Sequence, residues 1–311
     1  MSRKGRYGSP GAVYDCSGKW NTRPLGKLQR GVPAAEFATG DDGTSSVQER
    51  SNSATGICGV LLDLGGVIYI GNTPIEGALA AVERLRHEGL PLRFITNTTR
   101  RSKRQVMADL RRMGLHVSSE ELLTPALLAR TYLEKHALSP FLVVHPNLEE
   151  DFADLPPGRA EAVIVGDAGE HFTYNRLNRA YRKMIDGAEL LALAKNRNFK
   201  DADGELSLDA GPFVAALEFA ANRKAVLFGK PSADFFNTAV DDLHCRADQV
   251  VMVGDDAEAD VEGAITSGLK GILVRTGKYR PGDESKSGSR PSYLAENLDE
   301  AARWILAHRQ K

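Results

Sequence analysis

An apolar run in CGVLLDLGGVIYIG stops at Asp63, and Gly65 and Gly66 then remove the side chains just beyond it. Three other stretches place polar groups after apolar runs: Thr96-Asn97-Thr98, Gly229-Lys230-Pro231, and Gly254-Asp255-Asp256 with Asp260 following. Singly, each has an ordinary reading: a turn aspartate, a helix start, a solvated lysine, a pair of capping carboxylates. Together they offer carboxylates, a hydroxyl, an amide and an ammonium, which suits phosphoryl chemistry. Mg2+ prefers hard oxygen ligands, which Asp63 and Asp255 supply. Lys230 can neutralise a nucleophile and phosphoryl oxygens, while Thr96 and Asn97 can donate hydrogen bonds to those oxygens. Glycine lets backbone N–H groups come close to a bound anion. A carboxylate nucleophile would form an aspartyl-phosphate that water then releases.

The elements needed to position these groups are readable from residue 57 onward. Strand-length apolar runs alternate with helical patterns, which predicts right-handed crossovers and a parallel sheet. Such sheets bind ligands beyond the carboxyl ends of their strands, where the four polar groups lie. ICGVLL, LPLRFIT, AVLFG, QVVMVG and GILVRTG read as strands of one unit. A restart after Ser139-Pro140 gives FLVVH, EAVIVG and ELLALAKN, a second α/β unit inserted in the first. The expected fold class is α/β, a Rossmann-like parallel-sheet core with an inserted α/β cap domain. Its boundaries are 56–138 and 225–311 for the core and 139–224 for the cap. Thr73 and Glu76 around Pro74 predict a helix start by capping box, as do Ser118 and Glu121; Thr124-Pro125 predicts another start.

Composition narrows the function classes. Of 311 residues, 40 are basic and 41 acidic, a net charge of -1, so no general attraction to nucleic acid or anionic membrane is expected. No apolar run approaches a membrane span. Cys16, Cys58 and Cys245 form an odd set without CxxC spacing. They predict neither disulfide nor zinc site, a reducing compartment, and Cys58 as a small core residue. Residues 1–55 are rich in Gly, Ser, Pro and basic residues and read as a disordered or targeting tail. A cytoplasmic location is expected, with organelle import through that tail as the alternative. His145 and His171 read as structural.

The order Asp63, Thr96-Asn97, Gly229-Lys230-Pro231, Gly254-Asp255-Asp256 with Asp260 resembles the haloacid dehalogenase-like superfamily of phosphohydrolases. The insert between the second and third motifs is similar to its type IIA branch, which carries a large α/β cap. FITNTTRRSK, DGAELLALAKNR, GPFVAALEFA and GILVRTGKYR look like the group that includes phospholysine phosphohistidine inorganic pyrophosphate phosphatases. The resemblance implies that Asp63 is nucleophile and Mg2+ ligand. Asp255 and the Gly65 carbonyl would be further ligands, Thr96, Asn97 and Lys230 phosphate binders, and Asp256 and Asp260 supporting groups. It also implies that the cap brings Asn196 and Arg197, or the LSLDAGPF loop, toward the leaving group, and that the protein pairs as a homodimer through the cap.

Most of the superfamily has a second aspartate where this chain has Gly65. The resemblance therefore implies a small phosphorylated substrate with a good leaving group: an aryl phosphate, pyrophosphate or a P–N bond. The rival readings are a catalytically weak phosphate-binding or regulatory module, a sugar-phosphate or nucleotide phosphatase, and a carbon dehalogenase, which would not need Asp255 and Asp256.

Overall fold

The computed structural model describes residues 56–200, 205–285 and 288–310. The expectations for the first 55 residues and Cys16 lie outside them. In chain order the strands are β1 (Gly59–Asp63), β2 (Tyr69–Ile70), β3 (Thr73–Pro74), β4 (Leu92–Ile95), β5 (Leu122–Leu123), β6 (Leu138–Val143) and β7 (Ala160–Val165). They continue as β8 (Glu189–Ala192), β9 (Asn198–Lys200), β10 (Leu206–Leu208), β11 (Val226–Leu227), β12 (Val250–Gly254), β13 (Lys270–Val274) and β14 (Tyr293–Ala295). The helices are α1 (Ala78–His87), α2 (Lys103–Arg112), α3 (Pro125–His136), α4 (Tyr174–Ile185), α5 (Ala210–Ala221), α6 (Ala233–Asp241), α7 (Gly263–Thr266) and α8 (Leu298–Ala307). Among the described residues no helix is long and apolar enough to cross a membrane.

A parallel six-stranded sheet in the order β14-β13-β12-β1-β4-β5 forms the core. Successive side chains of β1 point to opposite faces, as a strand period of two requires. Val60 and Leu62 pack on one face with α1, α2 and α8 through Val82, Leu85, Leu110 and Ile305. Leu61 packs on the other, with Phe235, Phe236 and Ala239 of α6. Burial on both sides explains why β1 reads as a continuous apolar run.

The cap has its own parallel sheet, β11-β8-β7-β6. Met184 of α4 and Leu217 of α5 cover one face; Ala129 and Leu133 of α3 cover the other. The strand over AVLFG, expected to resume the core at 225, instead pairs with β8 as β11, and α3 packs on the cap. Periodicity reports a strand or helix but not the sheet it joins.

Two local expectations are corrected. Thr73 and Pro74 pair with Ile70 and Tyr69 in a hairpin, and α1 starts only after left-handed Gly77, without a side-chain cap. The short flap after β1 uses those residues before the helix can. Ser118 and Glu121 do bond reciprocally, but in a turn. By contrast Thr124 caps α3, and Ser102 with Gln105 forms a capping box on α2.

The cysteine expectation is overturned: Cys58 and Cys245 form a disulfide across 187 residues. A pairing this remote in sequence has no spacing signature. The bond ties the entry of β1 to the loop after α6, and a crosslink closing a long loop stabilises largely by restricting the unfolded chain. Cys58→Ser is expected to cost about 2–4 kcal/mol. Thermal unfolding without reductant will show a lower midpoint for the variant, and reductant will bring the wild type down to the same value.

Candidate active site

β1 lies between β4 and β12. Asp63 stands beside Ile95, and Leu62 beside Val253. Thr96 and Asp255 therefore begin where the two flanking strands end, on either side of Asp63. The next turn after β12 carries Asp256, whose carboxylate accepts from Glu258 and Ala259 N–H, and so starts the helical segment holding Asp260.

Lys230 reaches the same point by another route. It follows β11 by three residues, and the Asn97 side chain clamps its main chain: Asn97 Nδ2 donates to Lys230 O at 2.9 Å, and Lys230 N donates to Asn97 Oδ1 at 2.8 Å. Gly229 makes room for this clamp, since a Cβ there would stand 2.6 Å from Asn97 Oδ1 and 2.5 Å from Leu193 O. The Asn97 side-chain amide thus holds the lysine loop, while the Asn97 main-chain N–H and second amide hydrogen are not engaged by this clamp.

The Lys230 ammonium is buried, 2.6 Å from Asp63 Oδ1 and 2.7 Å from Asp260 Oδ1. Asp63, Asp255 and Asp260 each present an oxygen, all within 4.8 Å of one another. Burial works against the Lys230 charge, but Asp260 and Asp63 outweigh it and hold the pKa above the usual lysine range. Asp255 is pushed up to about 8, by burial first and then by Asp63 and Asp260. Asp260 is raised to about 6 by burial and by Asp63 and Asp256, although Lys230 opposes the shift. Such a buried, crowded, acidic set suits a hard divalent cation.

The glycines let the backbone close around Asp255. Gly66 and Gly277 are both left-handed, with φ of 81° and 63°. A Cβ on either would overlap Asp255 Oδ2, at 1.9 and 2.0 Å. Asp255 Oδ2 accepts from Lys278 N at 2.7 Å. Lys278 Nζ lies 3.3 Å from Asp256 Oδ2, and the neighbouring acids, Asp256 foremost, raise its pKa against the effect of burial. Gly65 differs from both: its φ is not left-handed, and nothing lies within 4 Å of the place a Cβ would take.

The structure thus brings together Asp63, Lys230, Asp255 and Asp260, with Thr96, Asn97 and Asp256 around them. On the cap, Asn196 hydrogen-bonds the Asp209 carboxylate, and exposed Arg197 accepts the Asp209 N–H through its carbonyl. Lys278 joins this set, and Arg100 pairs with Asp167, without any signal in the sequence motifs. Both sit in loops without an apolar period to draw attention to them.

Residues 60–155 match the family profile described as haloacid dehalogenase-like hydrolase, and residues 227–301 a HAD-hydrolase-like profile. The chain is 42% identical over 249 residues to rat haloacid dehalogenase-like hydrolase domain-containing protein 2, covering 80% of this chain and 96% of that one. It is 37% identical over 262 residues to human phospholysine phosphohistidine inorganic pyrophosphate phosphatase, covering 82% and 97%. The crystal structure of 4-nitrophenylphosphatase from Thermotoga maritima superposes with a TM-score of 0.73 at 26% identity, over 80% of this chain and 97% of that one.

A raised carboxylate pKa favours the protonated folded state. Its stabilising contribution is fully present below the unfolded value near 3.8 and is lost as pH rises through the folded one, about 6 for Asp260 and about 8 for Asp255. A divalent cation taken up there would replace those protons. Any rise in melting temperature on adding a divalent cation is therefore expected to grow from pH 5.5 to pH 8.5, and thermal shift measurements at fixed metal concentration read it directly.

Proposed function

The chain belongs to the haloacid dehalogenase-like hydrolases and is a phosphatase, and we propose that it hydrolyses its substrate through an aspartyl-phosphate on Asp63, with Mg2+. The observation that carries this reading is the buried Lys230 ammonium between Asp63 and Asp260, with the Asp255 carboxylate beside them. Asp63, Asp255 and the Gly65 carbonyl would hold the ion, with Asp260 bridging from Lys230 to the acidic set. When bound, it supplies charge stabilisation for the phosphoryl oxygens.

Asp63 attacks phosphorus, and the bond to the leaving group breaks, its electron pair departing with that group. Water then attacks the aspartyl-phosphate, phosphate leaves, and the carboxylate is restored. Lys230 offsets charge on Asp63 and on the transferring group. The Thr96 hydroxyl oxygen accepts from Thr98 N at 3.1 Å, which leaves its own hydrogen to donate to a phosphoryl oxygen. Asn97 acts through Lys230, whose main chain it holds. Asp256 positions Asp260: its N–H donates to Asp260 Oδ2 at 3.2 Å.

Gly65 decides the substrate preference. A general acid is worth about 100- to 10,000-fold, and this position has no side chain to supply a proton. Alkyl phosphates, whose alkoxides leave poorly, suffer most. Aryl phosphates, pyrophosphate and P–N compounds suffer least. The name of the human relative, a phospholysine phosphohistidine inorganic pyrophosphate phosphatase, agrees with that choice.

In a phosphate-release assay with Mg2+, p-nitrophenyl phosphate and pyrophosphate are expected to be cleaved well and glycerol phosphate poorly; equal rates would remove the leaving-group argument. Because the site around residue 65 is open, Gly65→Asp should raise glycerol phosphate turnover by roughly 100-fold or more. Asp63→Asn should abolish release from every substrate, and retained turnover would exclude Asp63 as the nucleophile.

A further inference from the structure

The loop after β4 carries two jobs within five residues. Its first residue, Thr96, flanks Asp63 at the sheet edge. Thr99 and Arg100 then touch the cap, and just beyond them Ser102 and Arg104 bond Glu150 while Lys103 N donates to the Asp151 carboxylate. Arg100 Nε lies 2.5 Å from Asp167 Oδ2, just beyond the end of cap strand β7. Asp167 N donates to Thr99 Oγ1 at 2.8 Å. The Arg100 guanidinium also sits over the Phe199 ring of the β9–β10 hairpin, 4.4 Å from its centroid. Asp167 is buried while the Arg100 side chain is 37% exposed, so the pair is shielded on its acidic side. A charge pair, a hydrogen bond and an aromatic contact all join one core loop to the cap.

We propose that Arg100 and Asp167 are a positioning pair that latches the cap onto the phosphate loop and sets how closely the cap meets the leaving group. The inference rests on the reading of Thr96 as a phosphate ligand. The covalent path from Thr96 to Arg100 is four residues, so displacement at one end is felt at the other. A substrate whose leaving group extends to the cap depends on the latch. One with a small leaving group, confined to the core, does not. Arg100 is suited to this because a planar guanidinium can pair with a carboxylate and lie on an aromatic face at once.

The test compares Arg100→Gln, Asp167→Asn and Arg100→Lys with the wild type in two measurements. The first is kcat/KM on p-nitrophenyl phosphate and on acetyl phosphate. The Gln and Asn variants should lose roughly 10- to 100-fold on the aryl substrate and about twofold at most on acetyl phosphate; Arg100→Lys, which keeps the charge, should recover most of the loss. The second is small-angle scattering without substrate, where the Gln and Asn variants should show a larger radius of gyration than the wild type and Arg100→Lys. An unchanged radius of gyration, or equal losses on both substrates, overturns the latch. If the wild type released no phosphate from either compound, the phosphatase reading would fail, and scattering alone would still decide the latch.

Discussion

The arrangement depends on one buried ammonium held between carboxylates. Asp63, Asp255 and Asp260 bring three negative charges into a small space, and Lys230 returns one positive charge. When all are ionised, two negative charges stay uncompensated, a deficit that suits a divalent cation. Burial first, and then the neighbouring carboxylates, push the Asp255 and Asp260 pKa values up. Burying such a set costs several kcal/mol per ion unless each charge is paired and hydrogen-bonded. The Asn97 clamp, the Lys278 N–H on Asp255 and the Asp256 N–H on Asp260 are part of that compensation.

Sheet order does the assembling. Because β1 is flanked by β4 and β12, residues far apart in sequence emerge side by side at one edge, and strand register places Thr96 and Asp255 next to Asp63. Lys230 is the exception. It is delivered from the cap's edge strand β11 and is fixed by a side chain of the core rather than by a ladder of strand hydrogen bonds.

That difference explains what was legible in the sequence. Apolar runs ending in Asp63, Thr96 and Asp255 report buried strands, and the polar residue at each end reports the site. The fold class and the gathering of these groups follow from periodicity and from parallel-sheet topology. Lys230 could be recognised by its type and its neighbours, but β11 could not be assigned to the cap, because two residues of edge strand carry no mark of their partner. The hairpin at Thr73–Pro74 competed with a helix start that the residue types favoured, and tertiary pairing prevailed. Cys58 and Cys245 are joined only by the folded path of the chain, as are Arg100 and Asp167. Interactions of that kind are long-range by nature and leave no local pattern.

The cap and the chemistry share backbone at two places. The chain leaves the cap sheet at Leu227 and reaches Lys230 three residues later. It leaves β4 at Ile95 and meets the cap at Arg100 five residues later. Both connections run past Asn97, whose amide ties the first to the second. A rotation of the cap would therefore load the loop carrying Lys230, the loop that follows β4, or both. Fixing the ammonium and admitting a substrate are in this way one mechanical problem, and Gly229, packed against the cap carbonyl of Leu193 on one side and Asn97 on the other, sits where the two requirements meet.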